Sequence, residues 1–271
     1  MKACRPMATA APTPTRAAVR LRHRRSARRL SEGQLADLRE AVRLAQGIGD
    51  DRGYQYWAGI HGLPLPAYCQ HGSEIFLPWH RAYLYFFEKA LQDRVPGVTL
   101  PWWDWTKDHQ QGIPPAYARA RVDGRVNPLA SSPIQPSGRR RPDERRTWRQ
   151  PGDPSWLPSP EAVAQVRRNR DYFTFQNQLE SIHNGIHGWV GGTMGSIATS
   201  AYDPVFWAHH CMVDRLWYLW QLDHPGARLP RRYLDLALPP FPMTVRDTLD
   251  ITALGYDYAA GTAAVPGTSR G

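Results

Sequence analysis

Two histidines four residues apart, His183 and His187, lie in the run Leu-Glu-Ser-Ile-His-Asn-Gly-Ile-His from Leu179 to His187. On a helix this spacing puts both imidazoles on one face, one turn apart. Two imidazoles so placed can hold one metal ion, which then needs at least one more ligand from elsewhere. A second run, Asp-Pro-Val-Phe-Trp-Ala-His-His-Cys-Met-Val-Asp-Arg from Asp203 to Arg215, offers His210. Phe206 lies one turn before His210 and Asp214 one turn after, so all three share a helix face. A metal site needs an apolar wall and neighbours that orient its ligands. Phe206 suits the wall, and Asp214 suits the orienting role.

The residue after His183 is Asn184, where a zinc protease of the His-Glu-x-x-His type would carry Glu. That argues against a metalloprotease. A second triplet lies upstream: His61, His71 and His80. Two sets of three imidazoles, without clustered carboxylates or thiolates, suit copper better than magnesium, calcium or an iron–sulfur cluster.

The residues around the two triplets carry a resemblance. The pattern H-x4-F-L-x-W-H-R-x2-L-x3-E is met from His71 to Glu88, and D-P-x-F-W-x2-H-x3-D from Asp203 to Asp214. With these two long signatures in this order, the chain resembles the tyrosinase family of type 3 dicopper proteins from about Leu30 to Tyr258. The resemblance implies copper A on His61, His71 and His80, and copper B on His183, His187 and His210. It also implies a mainly α fold: a central four-helix bundle around the dicopper site, long irregular loops and little β. Cys69, two residues before His71, stands where some family members bond the Cys sulfur to a carbon of the ligand His. A free buried thiol is the alternative.

Charge is uneven. The net charge is +10, yet nine positive residues and no acid fall within residues 1–30. The remainder is therefore nearly neutral, which gives no reason to expect a nucleic-acid surface on it. Residues 1–30 also lack the apolar centre of a secretory signal. They are expected to be a basic disordered extension, and removing residues 1–28 is expected to leave folding unchanged. Three cysteines do not suggest a disulfide framework. No apolar run approaches the roughly 18–20 residues that span a bilayer. The expectation is a cytoplasmic core domain over residues 31–260 with a short tail at 261–271.

Local signals place the helices. Ser31 with Gln34 reads as a capping box before the stripe Leu35, Leu38, Val42 and Ala45, closed near Gly47. Later helices are expected over about 52–60, from Pro78 to near Arg94, over 172–189 and over 204–222. Residues 107–170 read as a surface excursion with a basic run at 139–146. His109 falls there, outside either signature, and is not counted as a ligand. The aromatics of Pro101 to Trp105 read as packing. His224 reads as a partner of a helix C-terminus. His209 points about 100° away from His210 on the helix and cannot share its direction.

The resemblance implies oxidation of phenols or catechols to o-quinones with O2 as co-substrate. Phenol hydroxylation also needs a base for the phenol proton. Glu180 and Asn184 are four apart, so they face the same way and can hold a water for this work. A helix-surface carboxylate is the equal alternative for Glu180. The expected partner is a small phenolic substrate, with a copper-delivery helper left open and no membrane partner. Two other readings stand beside this one: an oxidase of diphenols or o-aminophenols only, as in secondary metabolism, and a hemocyanin-like O2 carrier. The carrier ranks last because a short chain leaves no room for a domain covering the site.

Overall fold

The structure is a computed structural model that describes residues 21–63, 68–106, 111–135 and 145–258. A short strand, β1 (Arg22–Arg24), leads into helix α1 (Glu32–Gln46), followed by α2 (Tyr54–His61) and α3 (Phe76–Gln92). Then come the one-turn helix α4 (Pro115–Ala118) and the strands β2 (Arg121–Val122) and β3 (Arg125–Val126). Helices α5 (Pro160–Arg167), α6 (Tyr172–Val190), α7 (Val205–Asp223) and α8 (Arg231–Leu234) follow, and β4 (Tyr256–Tyr258) closes the described chain.

The fold is mainly helical, as expected. Helix α3 packs against α7, α6 and α1, and α6 packs against α7. Their buried faces are apolar: Leu77, Leu84, Phe87 and Leu91 on α3, Phe175, Leu179 and Ile186 on α6, and Val205, Met212, Val213 and Leu216 on α7. Burying each such side chain contributes roughly 1.5–3 kcal/mol. Local signals set the ends. Ser31 and Gln34 form the reciprocal cap of α1, and Gly47 is its last cap. Helix α6 starts from Asp171, whose carboxylate accepts the Thr174 N–H. No helix of the described residues is long and apolar enough to cross a membrane.

Three expectations are corrected. First, residues 21–30 are part of the fold. β1 pairs in parallel with β4, with Arg22 opposite Tyr256 and Arg24 opposite Tyr258. Ala27 N–H donates to the Trp102 carbonyl at 2.8 Å. Arg24 is fully buried, because its charge is used inside: Nε donates to Glu88 at 3.0 Å and Nη1 to Asp214 at 3.3 Å. Residues 1–20 lie outside the described residues. Second, much of the excursion is woven into the core. Tyr117, Asn127 and Leu129 are buried, and the Arg149 guanidinium binds Asp203, the first residue of the second signature, at 2.6–3.0 Å. A carboxylate at the foot of α7 thus anchors a chain that sequence reading leaves at the surface. His109 and most of the basic run (139–144) lie outside the described residues. Third, the His224 ring does partner a helix C-terminus, but that of α5 rather than of its own helix. It hydrogen-bonds the Arg167 carbonyl of α5 at 2.9 Å.

Candidate metal centre

His61 ends α2, His80 lies one turn into α3, and His71 sits on the loop between them. Their ring centroids are 5.3 Å (His61 to His71), 5.3 Å (His71 to His80) and 5.8 Å (His61 to His80) apart. On the other side, α6 presents His183 and His187, and α7 presents His210. Their Nε2 atoms form a triangle with edges of 3.0, 3.1 and 3.3 Å. An ion about 2.0–2.1 Å from each nitrogen, the usual length for a metal–imidazole bond, fits such a triangle. The two triads face each other: His80 stacks on His210 at 4.6 Å, and His71 on His183 at 5.6 Å.

The tautomers agree with metal binding. Nδ1 of His80 lies 2.8 Å from the Phe76 carbonyl, Nδ1 of His187 2.9 Å from the Met194 carbonyl, and Nδ1 of His61 3.2 Å from the Ile197 carbonyl. Nδ1 of His183 lies 3.1 Å from Asn184 Oδ1. A carbonyl can only accept, so the ring proton sits on Nδ1 and the Nε2 lone pair is left for a metal. Nε2 of His61 and of His80 is buried with no hydrogen-bond partner among the described residues. Buried polar atoms of that kind call for a partner, and a metal ion supplies one. Burial pushes the pKa of all six imidazoles down, to about 4 for His187. Charges on neighbouring rings push most of them the same way. The rings are thus neutral, which is the ligating form.

His209 is excluded as a ligand by its partner. The Trp105 indole N–H donates to His209 Nδ1 at 3.2 Å, so the His209 proton is on Nε2. Phe206 is where the sequence puts it. Its ring is 4.0 Å from His210 and 4.8 Å from His61, an apolar wall shared by both triads.

Asp214 has different work from that expected. It orients no imidazole. Its carboxylate takes Arg81 Nε at 2.5 Å, Arg24 Nη1 at 3.3 Å, Tyr256 OH at 2.8 Å and the Tyr258 hydroxyl. Burial opposes its charge, but Arg81, Arg24 and the Tyr258 hydrogen bond hold its carboxyl below the ordinary range. Arg81 follows His80 and Asp214 is one turn past His210, so this pair locks the two ligand helices together.

Glu180 and Asn184 each hold a separate partner. Glu180 Oε1 accepts the Gly72 N–H at 2.6 Å, while Asn184 binds His183. The Cys69 sulfur and a ring nitrogen of His71 lie within 4.8 Å of each other, together with one of His61.

Several orienting groups escaped sequence reading: the Met194 and Ile197 carbonyls, Trp105, Arg24 and Gln176. One signal was available for the first two. Gly191 and Gly192, directly after α6, both have positive φ (63° and 53°). A Cβ on Gly192 would lie 2.3 Å from the Trp148 carbonyl oxygen. Only glycine allows this turn, which brings the next carbonyls back onto the ligands.

A family profile described as "Common central domain of tyrosinase" matches residues 51–223. The chain belongs to the tyrosinase family. Membership implies a dinuclear copper centre, and the two imidazole triads are the groups that fit it. Among its tyrosinase-family relatives, the chain is 38% identical to the tyrosinase of Streptomyces glaucescens over 188 residues, 58% of this chain and 66% of that protein. It is 30% identical to hemocyanin units G and H of Sepia officinalis over 229 residues, 76% of this chain and 39% of that protein. Other hemocyanin matches extend over 7% to 65% of the relative's length, so the chain spans only part of these polypeptides. Among solved structures it is similar to the Burkholderia thailandensis tyrosinase, with a TM-score of 0.77 and 25% identity over 90% of this chain and 76% of that one. It is about as similar to an octopus hemocyanin functional unit, with a TM-score of 0.76 and 29% identity over 88% of this chain and 68% of that one.

The triads predict a split in copper content. The parent is expected to hold two copper ions per chain, His80→Ala to lose mainly the one at the first triad, and His210→Ala mainly the one at the second. Metal analysis with site-resolved spectra checks this. Full occupancy in both variants would refute the ligand sets.

Proposed function

We propose that this chain oxidises small phenols and catechols to o-quinones with O2, using two copper ions on the two triads. The supporting observation is a pair of facing imidazole triads, largely buried, with one edge near the surface. His71 is only half-buried, Asn184 beside His183 is exposed, and Leu63 and Ile197 nearby are exposed apolar side chains. A flat ring can approach such an edge and stack against apolar surface.

Copper, when bound, supplies the one-electron exchange between O2 and the phenol. The protein's own residues do the rest. Six neutral imidazoles would hold the two ions in fixed places. Phe206 keeps water from the space between the triads. The Asn184 carbonyl oxygen fixes the His183 ring. A water held between Asn184 and Glu180 takes the phenol proton. Burial raises the Glu180 carboxyl pKa above its ordinary value, which makes the carboxylate a better proton acceptor.

The test is a comparison of a monophenol, a catechol and an o-aminophenol on copper-loaded protein. Catechol browning with weaker monophenol turnover is expected. Turnover of catechol or o-aminophenol alone would move the reading to a diphenol or o-aminophenol oxidase. A blue, O2-bound protein with little turnover would make it a carrier, as its hemocyanin relatives are named.

The Cys69–His71 cross-link belongs to the same proposal. Burial pushes the free Cys69 thiol up to about 11, so it is a poor thiolate before it reacts. After copper and O2 exposure, the peptide containing both residues is expected to weigh two hydrogens less, with Cys69 resistant to alkylation under denaturing conditions. Free alkylation would remove the cross-link from the proposal.

A further inference from the structure

Four of the six ligand rings are tied to the protein through Nδ1, as described above. His71 is not: neither ring nitrogen has a protein oxygen partner among the described residues, and it sits on a loop. Apart from the proposed cross-link to Cys69 on the same loop, its place is therefore set by its backbone. That backbone is fastened from one side by a single face of α6. Glu180 Oε1 accepts the Gly72 N–H at 2.6 Å. One turn earlier, Gln176 Nε2 donates to the Ser73 carbonyl at 3.1 Å, and Gln176 Oε1 accepts the Leu77 N–H at 3.3 Å. One turn earlier again, the Tyr172 hydroxyl binds Gln176 Oε1 at 3.0 Å and meets the Tyr233 hydroxyl at 2.9 Å. Tyr233 in turn holds the Glu74 carbonyl at 2.8 Å.

Residues 172, 176 and 180 thus form one helical stripe along the loop 72–77. Gln176 is fully buried and Glu180 is 6% exposed, so the helix side of these bonds is shielded, while Gly72 on the loop side is exposed. Gly72 is left-handed, with φ of 61°, which turns its N–H toward α6. Sequence spacing assigns α6 wholly to the second triad, through His183 and His187. The contacts give it a second task.

We propose that Glu180 and Gln176 are positioning residues for His71: the helix carrying two ligands of copper B also holds the loop ligand of copper A. Loss of either side chain frees the loop and weakens the first site, although both residues are on the helix of the second. This proposal rests on the dicopper reading. It is separate from the water-holding role of Glu180, because Gln at 180 keeps the acceptor oxygen and loses only the carboxylate base.

The experiment titrates apo-protein with Cu(I) against a competing chromophoric chelator. A parent that binds fewer than two ions would fail the dicopper reading itself. Given two, Glu180→Ala and Gln176→Ala are expected to weaken one site about 10–100-fold, as loss of ligand-supporting groups usually does, and to leave the other unchanged. Glu180→Gln is expected to keep the parent affinity. The site is identified by background. In His210→Ala, adding Glu180→Ala weakens the copper that remains. In His71→Ala, adding Glu180→Ala has no further effect, because the ligand it positions is gone. Hydrogen exchange at the Gly72 amide is expected to speed up in Glu180→Ala and not in Glu180→Gln. If Glu180→Ala does not fold, Glu180→Leu refills the volume without the acceptor and carries the same comparison. Unchanged affinity at both sites, equal loss at both, or an additive loss in the His71→Ala background would overturn the proposal.

Discussion

Arg24→Ala is expected to destabilise the folded protein by about 3–5 kcal/mol, the usual cost of removing one partner from a buried ion pair. In a domain of this size that lowers the melting temperature by roughly 6–20 °C. The reason is the pair of carboxylates that Arg24 serves. Asp214 keeps Arg81 when Arg24 is gone, but Glu88 loses its only guanidinium partner among the described residues. The Arg24 guanidinium also lies 3.8 Å from the centre of the Tyr256 ring, so its removal opens a void between the two strands. Deleting residues 1–28 removes the same group together with β1, and the same loss or a greater one is expected. The pH dependence has a definite sign. The Asp214 carboxyl is held below its ordinary value in the fold, so its contribution is present above the unfolded pKa and is lost as pH falls through the folded pKa. The gap between parent and variant should therefore narrow in acid. Thermal melts across pH check this, and an unchanged melting temperature at neutral pH would show that the arm is not needed.

Glu180→Gln is expected to cut monophenol turnover about 10²–10⁴-fold, the usual worth of a general base, with a much smaller effect on catechol turnover. Catechol oxidation needs only the metal centre and an accessible ring. Monophenol hydroxylation must also dispose of the phenol proton, and the amide cannot help a water take it. Asn184→Ala should push the same way more weakly, and it also removes the acceptor that sets the His183 tautomer. Steady-state rates on a matched monophenol and catechol, with copper content measured on the same samples, decide the matter. Equal losses on both substrates would leave the phenol proton to another acceptor.

The N-terminal arm shows why charge patterning misleads. Nine positive residues without an acid read as a solvated tail, because the acids that answer one of them, Arg24, lie far along the chain. Glu88 and Asp214 are 64 and 190 residues from Arg24. No local pattern carries that information. The excursion hides its anchor in the same way, since Arg149 reaches Asp203 across 54 residues. Glu180 was legible as a helix residue beside the metal-binding pair, but its contact with Gly72 was not, because loop geometry has no period to read.

The six-ligand assignment came from the family resemblance; the sequence by itself determined the longest helices, the cap of α1 and the shared face of His183 and His187. Those follow from short-range rules: a 3.6-residue period aligns His183 with His187 and Phe206 with His210, and a side chain three residues away caps α1. Only the tertiary structure decided how the ligands are held. It supplied the Ile197 and Met194 carbonyls that set ring tautomers and gave Trp105 to His209. It turned Asp214 from the metal toward Arg81, and bound the loop of one triad to the helix of the other. Most of these depend on a donor meeting an acceptor from a distant part of the chain in a buried or half-buried place, where an unmade hydrogen bond is costly. Which groups meet there is fixed by packing of the whole domain.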